Sequence, residues 1–326
     1  MVVAQEPTAS ISDVATIWVR VFSWGMLAVL AVFLVNNYLI TTKDWPGILP
    51  VFQDGIVGSL AWVQLAAYFI GLVVAVAYVV SSRNQTLRAD SALISDANIF
   101  LIRAFFWAVL LIGVVDMVIS FLRVEGLLTA VAGEEMTKKL GRPEYRGTYV
   151  HMPLMAAGVV IAAFTRTLGF VWLSLLIVLA ELAIVITRFV FSYEQAFMGD
   201  LVRFWYGALF LFASAYTLLE EGHVRVDVFY TNFTSKKKGL VNAFGSILLG
   251  LSFSWTIILI GMGSKSAMIN MPLAKFEVSQ SGYGLYVKYL LAGFLAVFAI
   301  TMAIQFVSYF LAVSYTHLTL PTLLLV

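Results

Sequence analysis

The chain has 326 residues, of which 61% are hydrophobic and only 12% charged, with a formal net charge of +2 and a mean hydropathy of +0.95. A soluble domain carries roughly 25% charged residues, so this composition excludes a soluble globular protein, and so small a net charge points to no nucleic-acid partner. There is no cysteine, which removes disulfides, thiolate nucleophiles and Cys-ligated metals.

A membrane helix needs about 20 mostly apolar residues to cross a core about 30 Å thick. Several such runs, without the period-two alternation of barrel strands, predict an all-α fold: a polytopic integral membrane helical bundle of seven or eight transmembrane helices. The N-terminal MVVAQEPTASISD lacks a basic n-region, and the apolar run behind it is too long for a cleaved signal peptide. That run, residues 17–40, is read as the first membrane helix. The second is 56–80, closed by 81–96, a polar connector. The third is 99–122, with Arg103 near one end and Asp116 in its second half.

Residues 123–151 form the longest hydrophilic segment, mixing Glu134, Glu135 and Glu144 with Lys138, Lys139, Arg142 and Arg146. Balanced charges of this kind predict a solvated loop or a surface helix, with partner docking as the minority reading. The run 152–164 is short for a span and could be tilted or re-entrant. From there the pattern is regular: 168–191, 202–219, 239–262 and 286–313. No internal repeat relates the halves, so an inverted-repeat transporter core is not expected. The last stretch, 314–326 (SYTHLTLPTLLLV), breaks the pattern and is expected to be a non-native tail.

Lys and Arg in short loops set orientation. Arg225, Lys236, Lys237 and Lys238 make residues 222–238 the densest short basic connector of the second half. That loop and the C-terminus are therefore expected in the cytoplasm. With eight spans, the basic 123–151 segment then falls outside, against the same rule.

The three histidines, His151, His223 and His317, lie at membrane boundaries or in the doubtful tail, so no haem ligation by paired helix histidines is expected. No H-E-x-x-H, G-x-S-x-G or phosphate-binding loop is present. Neither catalysis nor a cofactor is expected. An intramembrane charge is a functional candidate by default, because it costs about 2.5–3.5 kcal/mol at the bilayer centre even on insertion scales. Asp116 and Glu181 are those candidates, as a proton or ion path or as interhelical ties. The tie is the simpler reading, since two isolated carboxylates make a thin relay. Arg188 lies seven residues beyond Glu181, roughly 10 Å away along the helix, too far for a direct pair.

Small and polar residues mark packing faces. Asn242, Ser246, Gly250 and Ser254 recur every fourth residue, and Thr301, Gln305 and Ser308 share a face of the last helix. Trp172, Trp205, Tyr206 and Tyr216 lie near predicted helix ends, as an aromatic belt would.

The stretch 220–230, EEGHVRVDVFY, gathers ionisable groups at the exit of the 202–219 run. If extended, His223, Arg225 and Asp227 face one way and Val224, Val226 and Val228 the other, as suits an interfacial turn whose arginine meets a carboxylate or a phospholipid phosphate.

The run RFWYGALFLFASAYTLLEEGHVRVDVFY, 203–230, resembles the hallmark of the small membrane subunit (DctQ-type) of tripartite ATP-independent periplasmic (TRAP) transporters. The family pattern is a tryptophan-bearing helix followed by Gly-His-Val/Ile-Arg-Val-Asp. Trp205, Gly222, His223, Val224, Arg225, Val226 and Asp227 match it, Glu220 and Glu221 precede it, and Arg188 resembles the closing arginine of the family's first helix. The resemblance covers about 168–312. It implies a DctQ-like four-helix core over 165–313, with 1–164 as an N-terminal membrane extension of three or four helices.

The resemblance also implies a non-catalytic scaffold in a bacterial inner membrane. Its partners would be a large membrane subunit, which carries the substrate by symport with an ion, and a periplasmic solute-binding protein that delivers an organic acid or similar solute. Two rivals are a self-sufficient secondary transporter with Asp116 and Glu181 as proton path, and a membrane anchor subunit of a redox enzyme.

Overall fold

A computed structural model of the chain describes residues 13–53, 58–193, 195–220, 222, 228, 230–278 and 284–319. The elements are α1 (Asp13–Lys43), α2 (Ser59–Ser81), α3 (Leu87–Val124), α4 (Leu128–Leu140), α5 (Pro143–Phe164), α6 (Phe170–Val190), α7 (Ala196–Leu219), α8 (Ser235–Met262), α9 (Asn270–Ala274) and α10 (Lys288–Thr319). All but α4 and α9 are long and apolar enough to cross a membrane, which makes eight spans among the described residues, and no strand occurs among them. The protein is thus an all-α, multi-pass membrane protein at the upper of the two expected counts.

Four boundaries differ from the sequence reading, each for a physical reason. The supposed connector 81–96 is helical from Leu87 onward. Its buried residues Leu87, Asp90, Ser91, Ile94, Ser95 and Asn98 recur with helical spacing, so its polar groups face protein rather than water. The short run 152–164 is only the second half of α5, which starts at Pro143, a residue favoured at the first helical position. His151 therefore lies inside a span, not at its boundary. Helix α7 begins at Ala196, so Trp205 is more than two turns in; it is 2% exposed, a core residue and no belt anchor. Helix α10 continues past Val313 to Thr319.

Between α3 and α5, α4 is a surface helix, one of the two forms expected for residues 123–151, while Arg146 and His151 of that segment are buried inside α5. Helix α4 is broken at Gly133 (φ 79°), and Glu135 and Lys139 pair at 2.6 Å across one turn. The Lys139 ammonium holds the exposed Glu135 carboxyl below its usual range.

The described residues form two compact units, and each draws on both sides of the 164/165 division. The first comprises Met1–Asp96, Gly222–Trp255 and Met302–Val326 as far as these are described; the second comprises Ala97–Glu221 and Thr256–Thr301 likewise.

In the first unit α1 packs along α2. Gly71 lets them close up, since a Cβ there would stand 3.0 Å from Val32. The turn between them is tied by Gln64, whose Oε1 accepts the Gly47 N–H at 2.8 Å. Buried Arg20 holds the start of α3: its Nε donates to Asp90 at 2.6 Å, and its other nitrogens donate to the Ser82 carbonyl and hydroxyl at 2.8 Å each. Trp24 adds an indole N–H to the same Asp90 oxygen at 3.1 Å.

Also in this unit, the Ser246–Gly250–Ser254 stripe is buried on α8, and a Cβ at Gly250 would run into the Phe306 ring of α10. Asn242 donates instead to the Tyr230 hydroxyl at 2.8 Å. Ser308 exchanges hydrogen bonds with Ser91 and Ser95, and Gln305 reaches Ser95 at 3.3 Å.

Removing one partner of a buried ion pair leaves a charge stranded, typically at a cost of about 3–5 kcal/mol, whereas replacing both by apolar groups is far milder. We therefore expect Arg20→Ala to lower unfolding stability in detergent by an amount of that order, and the Arg20→Met/Asp90→Leu double variant to recover most of it. An unchanged melting curve for Arg20→Ala would mean that the pair does not hold the unit together.

Candidate functional site

The second unit is built on α7, whose buried Phe197, Leu201, Phe204, Ala208, Phe212 and Ala215 form one helical stripe. Phe212 lies against Phe106 of α3 at 5.6 Å and Phe294 of α10 at 5.0 Å between ring centroids. Trp205 crosses directly over Gly113, where any Cβ would collide with the indole, and donates its N–H to the Val109 carbonyl at 3.3 Å. On α10, the carbonyl of buried Thr301 accepts from Asn98 at 2.9 Å. Arg103 donates to the carbonyl of Thr165, the cap residue of α5, at 2.9 Å, a cation at a helix C-terminus.

Farther along α3 is a fully buried charged centre. Asp116 Oδ1 accepts from Arg146 Nη1 at 2.9 Å and lies 3.2 Å from His151 Nε2. Its Oδ2 accepts the Tyr286 backbone N–H at 2.9 Å. Asp116, Arg146 and His151 are all 0% exposed.

The local helix geometry makes this possible. Residues five apart in an α-helix point about 140° away from each other. Gly147–His151 is instead a π turn, whose i to i+5 bonding brings positions 146 and 151 toward one face. Gly147 also clears room for the Phe276 ring, which a Cβ would strike. Phe276 adopts a left-handed φ of 47°, unusual for a bulky side chain, and its ring packs edge-on to Tyr289 at 5.2 Å.

The surrounding groups complete the centre. His151 Nδ1 lies 2.8 Å from the Tyr289 hydroxyl. A neutral imidazole serves both bonds, donating from Nε2 to Asp116 and accepting at Nδ1 from Tyr289. Arg146 also donates to the Leu140 carbonyl at 3.1 Å and stacks 4.0 Å over the Tyr286 ring. Arg123 lies 4.8 Å over the same ring and donates to the Gly284 carbonyl at 3.0 Å.

Chemically this is a closed tie. Asp116 is enclosed, both its oxygens are occupied, and no side is left for a substrate. Glu181 is in a different situation: it is exposed, and among the described residues neither it nor the exposed Arg188 has a hydrogen bond or ion pair. The two intramembrane carboxylates are not brought together.

Of the signature, Glu221, His223, Arg225 and Asp227 lie outside the described residues, while Glu220 is exposed and caps α7 through its N–H to the Tyr216 carbonyl at 3.0 Å. A second exposed feature is a cavity of about 310 Å³ between the ends of α6 and α7, lined by Thr187, Gln195, Asp200 and Arg203 among others. Asp200 and Arg203 are 3.5 Å apart there. Among the described residues no group of three or more His, Cys, Asp or Glu is placed to hold a metal ion.

The partners of Asp116 were not anticipated. Two signals could have found them: an intramembrane carboxylate calls for a cation, and Pro143 marks a helix start that draws Arg146 and His151 into the span.

We expect Asp116→Leu to cost roughly 3–5 kcal/mol of unfolding stability by stranding Arg146, and Asp116→Leu/Arg146→Met to restore much of it. If the double variant unfolds as early as the single one, the Asp116–Arg146 pair is not what holds these helices.

Residues 176–316 match the family model described as "Tripartite ATP-independent periplasmic transporters, DctQ component". No curated protein and no solved structure matches the chain. The match takes in α7, α8, α10 and most of α6, and the buried centre joins it, through Tyr286 and Tyr289, to the helices that precede it. Residues 176–316 are thus similar to the DctQ component of the tripartite ATP-independent periplasmic transporters, and these residues are preceded by an N-terminal extension.

Proposed function

We propose that this chain is the non-catalytic small permease subunit that braces the large membrane subunit of such a transporter, and that the outward face of α6 is where the two meet. The observation that carries the reading is Glu181, an exposed carboxylate midway along α6. Its neighbours Val178, Leu182 and Val185 are exposed apolar residues, and only Leu173 and Ala180 of the helix are buried. Of the eight spans α6 has the smallest share of its residues buried.

Left against lipid, such a charge costs about 2.5–3.5 kcal/mol or more. A partner helix offering a cation or a hydrogen-bond donor removes that cost and covers the apolar stripe on either side. The family match over 176–316 supplies the context, since the family is a component of a tripartite transporter.

On this reading the large subunit carries the solute, an organic acid or similar, by symport with an ion down its gradient, and a periplasmic binding protein delivers it. The chain sits in a bacterial inner membrane with the 222–238 loop and the C-terminus in the cytoplasm. The burial of Arg146 and the contacts of Arg123 withdraw two cations from the segment that the positive-inside rule counts against this orientation. A proton path through Asp116 and Glu181 gains no support from an enclosed tie and an outward-facing carboxylate.

Co-expression with a tagged large subunit tests the proposal. Glu181→Lys places a cation where the partner offers one, and we expect co-purification to fall on the order of tenfold, which corresponds to about 1.4 kcal/mol, while the chain alone inserts and melts normally. Arg225→Ala in the signature should also weaken assembly. Co-purification of Glu181→Lys at the wild-type level would remove α6 as the docking face. Uptake of an organic acid by liposomes containing this chain alone would overturn the scaffold reading itself.

A further inference from the structure

We infer that the first unit carries a binding site for one anionic phospholipid, its acyl chain lying in an apolar groove on α8 and its headgroup held by Lys236 and Lys237. The groove has a volume of about 260 Å³ and is lined by Val19 of α1, Leu240, Ala243, Phe244 and Ile247 of α8, and Phe310 of α10. It belongs entirely to the first unit.

The four α8 residues are spaced i, i+3, i+4 and i+7, one helical face. Continued one turn toward the N-terminus, that face reaches positions 236 and 237. Both lysines are exposed, and neither has an acidic partner among the described residues. Lys238 is engaged elsewhere, 5.2 Å over the Tyr230 ring. Basic groups thus sit directly above a greasy channel on a single helix face.

Depth fits as well. Helix α8 has 28 residues, so it is about 42 Å long at 1.5 Å per residue, against about 30 Å of hydrocarbon. Its first turns therefore extend into the headgroup layer. Leu240 to Ile247 then descend roughly 10 Å into the acyl region. The helix N-terminus adds its own partial positive charge at the headgroup level, with Thr234 as its cap.

The charge of the site selects the occupant. A membrane helix from another chain would fill the apolar groove without needing the lysines, and a soluble phosphate would engage the lysines without the groove. An anionic phospholipid uses both. Juxtamembrane lysines attract anionic lipid, so the pair is expected to contribute about tenfold or more in affinity.

The test uses the full chain in a neutral detergent, titrated with phosphatidylglycerol, phosphatidylcholine or inorganic phosphate, with thermal unfolding and native mass spectrometry as readouts. Phosphatidylglycerol should raise the unfolding temperature and co-migrate as one molecule per chain. Lys236→Gln/Lys237→Gln should weaken that binding on the order of tenfold and leave the lipid-free unfolding temperature unchanged, since both residues are exposed. Ala243→Leu, which narrows the groove, should weaken it too, and Lys275→Gln, which removes an exposed lysine in the second unit, should not.

Equal stabilisation by phosphatidylcholine or by inorganic phosphate would overturn the proposal, as would equal weakening by Lys275→Gln. The chain has no cysteine, so Phe244→Cys reports directly on a protein occupant. Efficient cross-linking of that variant to a second copy would make the groove a self-interface and overturn the lipid site.

Discussion

A polar side chain inside a membrane protein must be met by protein, because hydrocarbon offers it nothing. Helix α3 is where that constraint bears hardest. Along its 38 residues it carries Asp90, Ser91, Ser95, Asn98, Arg103, Asp116 and Ser120, all buried. Each is met from another element: Asp90 by Arg20 and Trp24, Ser91 and Ser95 by Ser308, Asn98 by Thr301, Arg103 by the end of α5, and Asp116 and Ser120 by Arg146. The register of α10 on α3 follows from this. Thr301, Gln305 and Ser308 rise at i, i+4 and i+7 while their partners Asn98, Ser95 and Ser91 descend at i, i−3 and i−7, both of them one-face helical spacings, so within each unit a slip of one residue would break the bonds.

That arrangement also governs the N-terminal helices. Residues 13–164 supply Arg20, Asp90, Asn98, Arg146 and His151, and the family-matched stretch supplies Thr301, Gln305, Ser308, Tyr286 and Tyr289. Within each compact unit the two parts share buried hydrogen bonds, which are costly to leave half made. The preceding helices are therefore part of the packing of the matched region rather than an appendage to it. Close approach at glycine reinforces the joint: Gly113 gives way to Trp205 and Gly147 to Phe276, and in both cases the glycine and the ring come from opposite sides of the 164/165 division.

The class of the fold, a count of seven or eight spans and the likeness to the DctQ component were legible in the sequence because they rest on length, hydropathy and an ordered motif. What was not legible was the destination of polar residues. Hydropathy assigns Asp90, Ser91 and Ser95 to a water-facing connector, since it records how polar a residue is and not what it faces. The same blindness turned Arg146 and His151 into loop residues. Periodicity repairs part of this: 87, 90, 91, 94, 95 and 98 already trace one helical face. The π turn at Gly147–His151 has no comparable signature, and without it the pairing of Arg146 and His151 on one carboxylate would not be expected. The small-residue stripes were readable as faces, but not which helix each would meet.

The two intramembrane carboxylates show how environment, and not depth, decides what an acid does. Asp116 and Glu181 look alike in sequence, each the one carboxylate of its apolar run. Asp116 receives two donors on one oxygen and a backbone N–H on the other, and so becomes a joint whose value lies in being closed. Glu181 is exposed on a helix whose buried residues are Leu173 and Ala180, and it has no hydrogen bond or ion pair among the described residues. Among the described residues Asp90 and Asp116 are each paired with an arginine of the chain, whereas Glu181 stands bare on the span with the smallest buried share. That contrast is what the proposed docking of a second membrane protein on α6 rests on: a matching donor there would remove the cost that Asp116 avoids within the chain.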